Sequence, residues 1–361
     1  MARPRIIQLF SSERGIAEGP FNGYILLASI FMVALCLVIF FSGSAFYSNS
    51  LLQILIFGCM ALGYDYFSGY TGYYNLGYGA FVGLGAYIFV FISDAGVLIP
   101  ISIILAGLGT AIFALAISYP FLRLKGAYFA IATLALVLLL QIFDANLSSF
   151  TGGTAGIILS YSTNPLKTYL FFGSLFVLLV SMYFHTIIGK SRFGLALRSV
   201  REEEDVSESY GVNAFRIKQI AMVLSAFFGG ISGGLFAIFL GFINVDNVFG
   251  LGVGLFPVVA AITGGSGIFL GPVVGSFILI IVRLGLPPFL AQISPTLTVG
   301  PLVVIGFVLL IVGLFIPGGV LRAGFLRKYS YIKADRKLTD GFGKKSMVDT
   351  KRTSVESSKT N

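Results

Sequence analysis

The stretch "YILLASIFMVALCLVIFF" at residues 24–41 decides the class of this protein. It carries no charged side chain, and its 18 positions approach the ~20 apolar residues that an α-helix needs to cross a bilayer. A second stretch, "PLVVIGFVLLIVGLF" at 301–315, has the same character. The whole chain is 57% hydrophobic and only 11% charged, whereas soluble proteins carry roughly 25% charged residues. The sequence therefore predicts an all-α polytopic membrane protein, because the ~10-residue alternating segments of an outer-membrane barrel are absent.

Apolar runs of similar length recur along the chain and predict about ten transmembrane helices. The runs lie at 24–43, 50–68, 75–93, 98–120, 127–147, 168–188, 215–242, 246–264, 268–285 and 298–316. The eighth run is the weakest, because "VFGLGVGLFPVVAAITGG" contains many glycines and Pro257. We expect it to be short, broken or partly re-entrant.

The distribution of basic residues predicts the orientation of these helices. With the N-terminus inside, the predicted outer loops contain a single Lys or Arg, Lys167, and all other basic loop residues lie inside. The outer loops in this arrangement are 44–49, 94–97, 145–167, 243–245 and 286–297. This distribution of basic residues favours an even number of spans. Both termini are therefore predicted to be cytoplasmic, in a multi-pass protein of the plasma or inner membrane.

Three regions follow from this orientation. Residues 1–23 form a cytoplasmic N-terminal segment, 24–316 the transmembrane domain, and 317–361 a basic, partly disordered cytoplasmic tail. From Arg322 onward the tail has eleven Lys or Arg against four Asp or Glu. The net charge of +9 therefore suits contact with the lipid bilayer and requires no nucleic acid as a partner.

Four ionisable residues fall near the ends of predicted helices, namely Asp65, Asp144, His185 and Arg283. We interpret them as anchors solvated at the membrane interface, with an ion or proton relay as the alternative. Asp65 and His185 lie far apart in sequence, so no cluster typical of a membrane-embedded enzyme is visible. No catalytic residue and no metal site is predicted, and Cys36 and Cys59 are interpreted as small buried side chains.

The segment "SRFGLALRSVREEEDVSESYGVNAFRIK" at 191–218 interrupts the apolar runs. It holds five basic residues and five of the chain's 15 acidic ones. Glu204 or Asp205 is predicted to cap a short amphipathic helix with an acid-rich first turn. Gly211 is predicted to end that helix, and Asn213 to cap the next one.

Two interpretations of this segment remain open. One is a solvated loop that only enforces topology. The other is a docking helix for a cytoplasmic partner, since Val206 and Tyr210 lie four residues apart on one face, as contact with a groove requires. The acidic residues would then steer a basic partner surface.

Candidates for a solute pathway lie around "TGYYNLGYGAFVGLGAY" at 71–87. Gly79 and Gly83 have the spacing of a helix-packing seam, and packing is the preferred interpretation for them. Tyr74 and Asn75 place polar groups at the cytoplasmic entrance, and Thr133 offers a transient hydrogen bond. The outer loop "TGGTAGI" at 151–157 is either a surface for a binding protein or a plain turn.

Four stretches resemble a known family in the order expected for it. "SRFGLALRSVREEEDVSESYGVNAFRIKQIAMVLSAFFGGISGGLFA" (191–237) is similar to the coupling loop and following helix of LivM-type permeases, the longer membrane subunits of branched-chain amino-acid ABC importers. The other three are "SGYTGYYNLGYGAFVGLGAY" (68–87), "FLRLKGAYFAIATLAL" (121–136) with "TGGTAGI", and "GGSGIFLGPVVGSF" (264–277). Together they cover about residues 50 to 318.

The resemblance implies that a coupling loop at 189–214 docks into a separate ATPase subunit. Its implied contact residues are Arg201, Glu204, Asp205, Val206, Glu208, Tyr210 and Gly211. Glu204 and Asp205 match the acidic pair of the family, whereas Ser207 and Ser209 stand where the family often has Ala.

The resemblance also implies partners. These are a second permease forming a heterodimer, two cytoplasmic ATP-binding subunits and an extracytoplasmic substrate-binding protein. The chain has no GxxxxGK[ST] phosphate loop, so we expect it to bind no cofactor, with ATP and Mg held by the partner ATPase.

The predicted function is therefore that of a permease subunit, rather than an enzyme, in an ATP-driven importer of branched-chain amino acids. One alternative is a related permease for urea, short amides or other small organic solutes. A second alternative is a stand-alone secondary transporter.

Overall fold

The computed structural model describes residues 44–147, 151–159 and 163–293, and isolated positions at 36–38, 40, 303, 306–307 and 319–321. Within them the helices are α1 (Ala45–Thr71), α2 (Tyr78–Asp94), α3 (Ile99–Phe121), α4 (Ala127–Asn146), α5 (Thr163–Lys190), α6 (Arg192–Glu202), α7 (Glu204–Ser209), α8 (Ala214–Leu240), α9 (Val245–Phe249), α10 (Leu251–Gly264) and α11 (Gly271–Ile293). A 3₁₀ turn (Gly153–Ala155) and two short strands, β1 (Ile157–Ile158) and β2 (Phe242–Ile243), complete the described elements.

Apolar helices make the chain a multi-pass membrane protein. Six stretches are long and apolar enough to cross a bilayer: α1, α3, α4, Leu166–Lys190 of α5, α8, and α9 with α10. Two shorter apolar helices are α2 and Gly271–Gly285 of α11. The predicted spans from 50–68 through 268–285 all fall on these helices.

The remaining parts of the predicted topology are not covered by the structure. The first and tenth predicted spans lie mostly outside the described residues, as do the segments 1–23 and 317–361. The total of ten helices, the three region boundaries and the cytoplasmic position of the termini therefore stay predictions.

Helix α8 lies at the centre of the described bundle and packs against α1, α2 and α3. Glycines allow this close approach. A Cβ added to Gly85 of α2 would lie 2.5 Å from the carbonyl oxygen of Gly230 in α8, and one added to Gly233 would overlap the carbonyl oxygen of Val82. Backbones that approach this closely gain van der Waals contact, which is a main source of helix association in lipid.

We expect Gly85→Ala to lower the apparent melting temperature of the purified chain in detergent. The added methyl group meets backbone, which cannot rotate away, and overpacking of this kind costs typically 1–3 kcal/mol. Gly173→Ala is the matched control, because a Cβ there would lie 4.0 Å from the nearest atom, Cδ2 of Leu235. Equal losses in the two variants would contradict the importance of the α2–α8 contact.

The predicted break in the eighth span is confirmed. Helices α9 and α10 are separated at Gly250, which has φ −55° and ψ 141°. Helix α10 then packs against α11 as a hairpin, in which a Cβ on Gly275 would overlap the carbonyl oxygen of Ala260. The "GPVVG" stretch at 271–275 is therefore a packing seam between these two helices.

The loops separate onto two ends of the bundle. We call one end the charged face; it carries residues 72–77, 122–126, 189–214 and 265–270, which contact one another or a shared neighbour. At the opposite face β1 pairs with β2 in antiparallel register, with Ile157 opposite Ile243. The "TGGTAGI" loop therefore leads into a paired strand and is more than a plain turn.

Candidate functional site

Residues 189–214 form two short helices on the charged face, and we call them the coupling segment. The sequence predicted one amphipathic helix here. Ser191 caps α6 by accepting a hydrogen bond from the Gly194 amide at 3.1 Å. Gly194 packs directly on the carbonyl of Ile188, which allows a tight turn from α5 into α6. Leu197 and Val200 are buried, so the apolar side of α6 faces the bundle.

Helix α7 begins differently from the prediction. Its N-cap is Glu203, which has extended backbone and makes no side-chain cap hydrogen bond. The prediction that Glu204 or Asp205 caps the helix is therefore wrong. Both lie instead in the first turn, where the positive end of the helix dipole favours a carboxylate.

The end of the coupling segment agrees with the prediction. Gly211 has φ +85°, a left-handed conformation that a residue without Cβ adopts at little cost, and the segment turns there. Asn213 caps α8 by accepting a hydrogen bond from the Arg216 amide at 3.0 Å. The prediction for both residues is confirmed.

Glu204 points into the protein rather than toward solvent. Its Oε1 lies 2.6 Å from Lys218 Nζ of α8, and its Oε2 accepts a hydrogen bond from the Tyr73 hydroxyl at 2.7 Å. Lys218 is buried, and its Nζ lies 4.6 Å from the centre of the Tyr73 ring. We call these three residues the Glu204 clamp; it holds α7 to α8 and to the loop before α2.

The surroundings of the clamp lower the pKa of Glu204. Partial burial by itself raises the pKa, but hydrogen bonds from Lys218 and Tyr73 and the positive charges of Lys218 and Lys125 outweigh it. The same contact with Glu204, together with burial, raises the pKa of the Tyr73 hydroxyl. The clamp therefore holds a carboxylate and a neutral phenol.

This lowered pKa predicts that the coupling segment tolerates mild acid. A carboxyl whose folded pKa is lowered stabilises the fold above its unfolded pKa, and this stabilisation is lost only as the pH falls through the folded pKa. Amide hydrogen exchange of residues 204–209, corrected for its intrinsic pH dependence, should therefore stay constant from about pH 7.5 to about pH 5, since an ordinary Glu titrates near 4.3. Opening of the segment near pH 6 would contradict the clamp.

Arg201 is a second inward contact of the coupling segment. Its Nη1 donates a hydrogen bond to the carbonyl of Gly69 at 2.7 Å, in the last turn of α1, where the helix dipole favours a cation. Its side chain also packs against Gly72. Arg201 and Glu204 thus connect the segment to α1, to the loop before α2 and to α8.

The other predicted docking residues lie on the outer side of the segment. Val206, Glu208 and Tyr210 are exposed. Asp205 is also exposed and forms a surface bridge to Lys125 at 3.1 Å, which raises the pKa of Lys125. The coupling segment therefore has an inner side bound to the bundle and an outer side that mixes apolar and acidic groups.

A buried polar cluster lies beneath the segment. Asp65 of α1 has its Oδ2 at 3.0 Å from His185 Nε2 of α5, and its carboxylate accepts hydrogen bonds from the Ser266 hydroxyl at 2.7 Å and from the Gly267 amide at 2.9 Å. The Tyr70 hydroxyl donates to the carbonyl of His185 at 2.9 Å. We call these five residues the Asp65 cluster.

The expectation that Asp65 and His185 are separate anchors in interfacial water is wrong. Both are buried, and they meet across 120 positions of sequence. Asp65 and His185 meet because α1 packs against α5, and the apolar runs of the sequence do not reveal which helices are neighbours. Arg283 was predicted to lie near the end of a span. In the structure α11 continues to Ile293, so Arg283 lies within the helix. Its guanidinium is 5.9 Å from the centre of the Phe57 ring.

Among the predicted pathway residues, three are polar. Tyr74 is exposed on the charged face, whereas Asn75 and Thr133 are buried. Asn75 accepts a hydrogen bond from the Gly77 amide at 3.0 Å, and its Nδ2 has no partner among the described residues. Gly77 packs directly on the carbonyl of Thr133, so the structure brings Asn75 and Thr133 to the same region beside the start of α2.

The two glycines of the predicted pathway lie in helix contacts. A Cβ added to Gly79 would be 2.8 Å from the Cα of Gly254 in α10, and one added to Gly83 would overlap the ring of Phe249. This placement agrees with the preferred interpretation of packing. In the described part of the chain, no group of three His, Cys, Asp or Glu side chains is placed to hold a metal ion.

Comparison with known proteins adds to this geometry. The family described as "Branched-chain amino acid transport system / permease component" matches residues 46–313. The high-affinity branched-chain amino acid transport system permease proteins LivM of Escherichia coli (strain K12) and Salmonella typhimurium (strain LT2) are each 27% identical over 259 residues, which cover 63% of this chain and 61% of the relative. The chain thus aligns with about three-fifths of the length of these relatives.

A shorter similarity connects the chain to another permease. The guanosine ABC transporter permease protein NupQ of Bacillus subtilis (strain 168) is 37% identical over 51 residues, which are 14% of this chain and 16% of NupQ. No solved structure matches the chain significantly.

Proposed function

This chain belongs to the permease-component family of branched-chain amino acid transport systems, and from that premise we propose that it is a membrane-spanning permease subunit of an ATP-driven importer. It forms part of the pathway for branched-chain amino acids and couples this pathway to partner ATPase subunits. The observation that carries the proposal is the two-sided coupling segment. Its inner side is bound to α1, to α8 and to the loop before α2, and its outer side leaves Val206 and Tyr210 exposed.

The proposal includes four kinds of partner or environment. A second permease completes the pathway as a heterodimer, two ATP-binding subunits hold ATP and Mg, an extracytoplasmic protein delivers the solute, and the lipid bilayer surrounds the helices. The lack of a phosphate loop in the sequence supports ATP hydrolysis by a partner. In this arrangement the charged face and both termini are cytoplasmic, as the distribution of Lys and Arg favours.

The contacts of the segment suggest how movement reaches the pathway. A partner that displaces α7 pulls on Glu204, which is bonded to Lys218 in α8 and to Tyr73 before α2. Arg201 passes the same displacement to the end of α1 through Gly69. Because these contacts are hydrogen-bonded and partly buried, the segment moves with the helix ends rather than as a free loop.

The pathway on the cytoplasmic side then begins near the start of α2. Tyr74 stands at its exposed entrance, and Asn75 and Thr133 supply polar groups further in. Gly79 and Gly83 act indirectly, by letting α2 lie against α10 and Phe249.

The docking surface is tested by the double variant Val206→Glu with Tyr210→Ala. We expect affinity purification of the tagged chain in mild detergent to recover at least tenfold less phosphate-loop ATPase, because charge and lost aromatic area oppose burial in a groove. Recovery of the second permease should not change. Tyr128→Ala is the matched control, since Tyr128 and Tyr210 are both 76% exposed and Tyr128 lies at the start of α4 beside the charged face.

Two outcomes contradict the proposal. If the wild-type chain recovers no ATPase under conditions that preserve other complexes, a stand-alone transporter becomes the better explanation. If Tyr128→Ala removes the ATPase as effectively as the double variant, docking is not specific to α7.

The substrate is tested separately with the assembled importer in liposomes. We expect labelled leucine to be taken up with ATP and its binding protein. The short similarity to a guanosine permease makes guanosine the second candidate, and urea or a short amide the third. Uptake of one of these without leucine would keep the permease role and change the substrate.

A further inference from the structure

The loop at residues 265–270 is held by a buried carboxylate that the coupling route described above does not use. Asp65 Oδ1 accepts a hydrogen bond from the Ser266 hydroxyl at 2.7 Å, and Asp65 Oδ2 accepts one from the Gly267 amide at 2.9 Å. The Asp65 side chain is 0% exposed. Hydrogen bonds to a carboxylate are stronger than those between neutral groups, and the low dielectric of a protein interior strengthens them further. The carboxylate therefore fixes the position of the loop.

Two glycines give the loop the shape that this contact requires. Gly265 has φ +114° and Gly267 has φ +78°, and a residue without Cβ adopts such positive values at little cost. The turn between them directs the hydroxyl of Ser266 and the amide of Gly267 toward the same carboxylate. The loop thus presents two successive donors to α1.

The coupling segment reaches the same part of α1. Gly69 lies four residues after Asp65, and a Cβ on Gly69 would overlap Oδ1 of the Asp65 carboxylate. The Gly69 carbonyl accepts the hydrogen bond from Arg201 at 2.7 Å. A Cβ on Gly267 would lie 3.1 Å from that carbonyl oxygen and 3.7 Å from Arg201 Nη1. The loop and the coupling segment therefore meet around one carbonyl group of α1.

Helices α10 and α11 follow the loop because they form one tightly packed hairpin. A Cβ on Gly264 would overlap the carbonyl oxygen of Gly271, so the two helices are in backbone contact at the loop. Helix α10 also contacts the start of α2, where a Cβ on Gly79 would lie 2.8 Å from the Cα of Gly254. Packed side chains, hydrogen bonds and rigid helices of this kind carry coupling between distant sites. A displacement of the loop therefore reaches the predicted entrance of the pathway.

Apolar packing joins the same hairpin to α1. The rings of Phe57 in α1 and Phe256 in α10 have their centroids 4.3 Å apart, and α11 packs against α1 as well. Apolar contacts are non-directional, so they allow packed helices to slide by small amounts. The hydrogen bonds of Asp65 are directional, and they lie at the end of the bundle that carries the coupling segment. They are therefore suited to make the hairpin follow the segment.

We propose that Asp65 is a positioning residue that makes the 265–270 loop, and with it the α10–α11 hairpin, move together with the coupling segment. The route runs from Arg201 through the last turns of α1 to Asp65 and then to the loop. This inference rests on the proposed function and adds a second branch to it. The first branch, through Glu204, reaches α8 and the loop before α2, and the second adds the hairpin that packs against α2.

The first test uses the assembled importer in liposomes with saturating binding protein. Ser266→Ala removes one donor from Asp65 and leaves the carboxylate in place. We expect leucine uptake per ATP hydrolysed to fall roughly three- to tenfold, as the loss of one hydrogen bond in the route predicts. Recovery of the ATPase by the tagged chain should stay within about twofold of wild type, because the outer side of the coupling segment is unchanged.

Two further variants serve as controls. Ser266→Thr keeps a hydroxyl at the same position and should retain most of the uptake. Ser276→Ala is the matched serine substitution in α11, because the Ser276 hydroxyl is buried and donates to the carbonyl of Val273 in its own helix at 2.8 Å. Its uptake per ATP hydrolysed should equal that of wild type.

Amide hydrogen exchange distinguishes transmission from a merely structural role. In the wild-type complex, binding of a non-hydrolysable ATP analogue to the ATPase should change exchange in both the coupling segment and residues 265–270. In Ser266→Ala we expect the change in the segment to persist and the change in the loop to shrink at least about twofold. A structural role alone would alter exchange of the loop equally with and without nucleotide, so the difference between the two states would remain.

The outcomes separate this inference from the proposed function. A wild-type chain that recovers no ATPase overturns the proposed function. If the ATPase is recovered but Ser266→Ala keeps the full nucleotide-dependent change in the loop, only the role of Asp65 is overturned. The same holds if nucleotide changes exchange of the wild-type segment but not of the wild-type loop. That last comparison needs no variant, so it decides the question even if Ser266→Ala does not assemble.

Discussion

Replacing Lys218 with Met is expected to lower leucine uptake by the assembled importer at least tenfold and to destabilise the chain by about 3 kcal/mol. The substitution keeps most of the side-chain volume but leaves Glu204 at a packed interface without its counter-ion. Loss of one partner from a buried ion pair costs about 3–5 kcal/mol, and the lower end applies because the Glu204 side chain is 18% exposed. Uptake, ATP hydrolysis and thermal unfolding in detergent measure the effect.

The chain contains a matched control for this prediction. Lys125 pairs with Asp205, the residue next to Glu204, but the two side chains are 64% and 82% exposed. Surface pairs contribute about 0–1 kcal/mol, so Lys125→Met should have little effect on stability. Adding Glu204→Gln to Lys218→Met should recover part of the lost stability, since no unpaired charge remains. Equal effects of Lys125→Met and Lys218→Met would refute the Glu204 clamp.

Asp65→Asn is expected to have the second large effect, with at least tenfold less transport and a loss of about 2–3 kcal/mol in stability. The Asp65 carboxylate accepts from the Ser266 hydroxyl and the Gly267 amide and faces His185 Nε2. An amide in its place directs an NH₂ group toward at least one of these donors. An unsatisfied buried donor costs about 1–3 kcal/mol. The substitution therefore weakens the hydrogen bonds that join α1 to α5 and to the 265–270 loop.

Two comparisons make this result interpretable. Asp94→Asn makes the same substitution at an exposed carboxyl and should leave the free energy of unfolding unchanged. His185→Gln keeps an N–H donor for Asp65 and should be milder than Asp65→Asn. Wild-type stability and transport in Asp65→Asn would show that the cluster does not connect these elements.

Much of the architecture follows from the sequence because crossing a bilayer is a local requirement. A stretch of about 20 apolar residues has few alternatives to a membrane helix, so most ends of the described apolar helices were predicted to within a few residues, and α11, which continues to Ile293, is the exception. The broken eighth span was also visible in sequence, from its glycines and Pro257. Asn213 and Gly211 were predictable for a similar reason, since helix caps and left-handed turns depend on neighbouring residues along the chain.

The inner side of the coupling segment was decided by tertiary structure. In sequence, Arg201 and Glu204 look like Asp205 and Glu208, all polar and all in one loop. Only packing places Glu204 against Lys218 and Tyr73 and leaves Glu208 exposed. The predicted docking set therefore divides into residues that hold the segment and residues that face outward.

The meeting of Asp65 with His185 likewise depended on the fold. The sequence by itself determined that these residues lie on apolar helices near their ends. It did not determine which helices are neighbours, because a membrane helix meets apolar surroundings both in lipid and in the protein interior. Hydrophobic periodicity, which orients helices in soluble proteins, is therefore a weak signal here. Which helices become neighbours is decided instead by close packing at glycines such as Gly85 and Gly230.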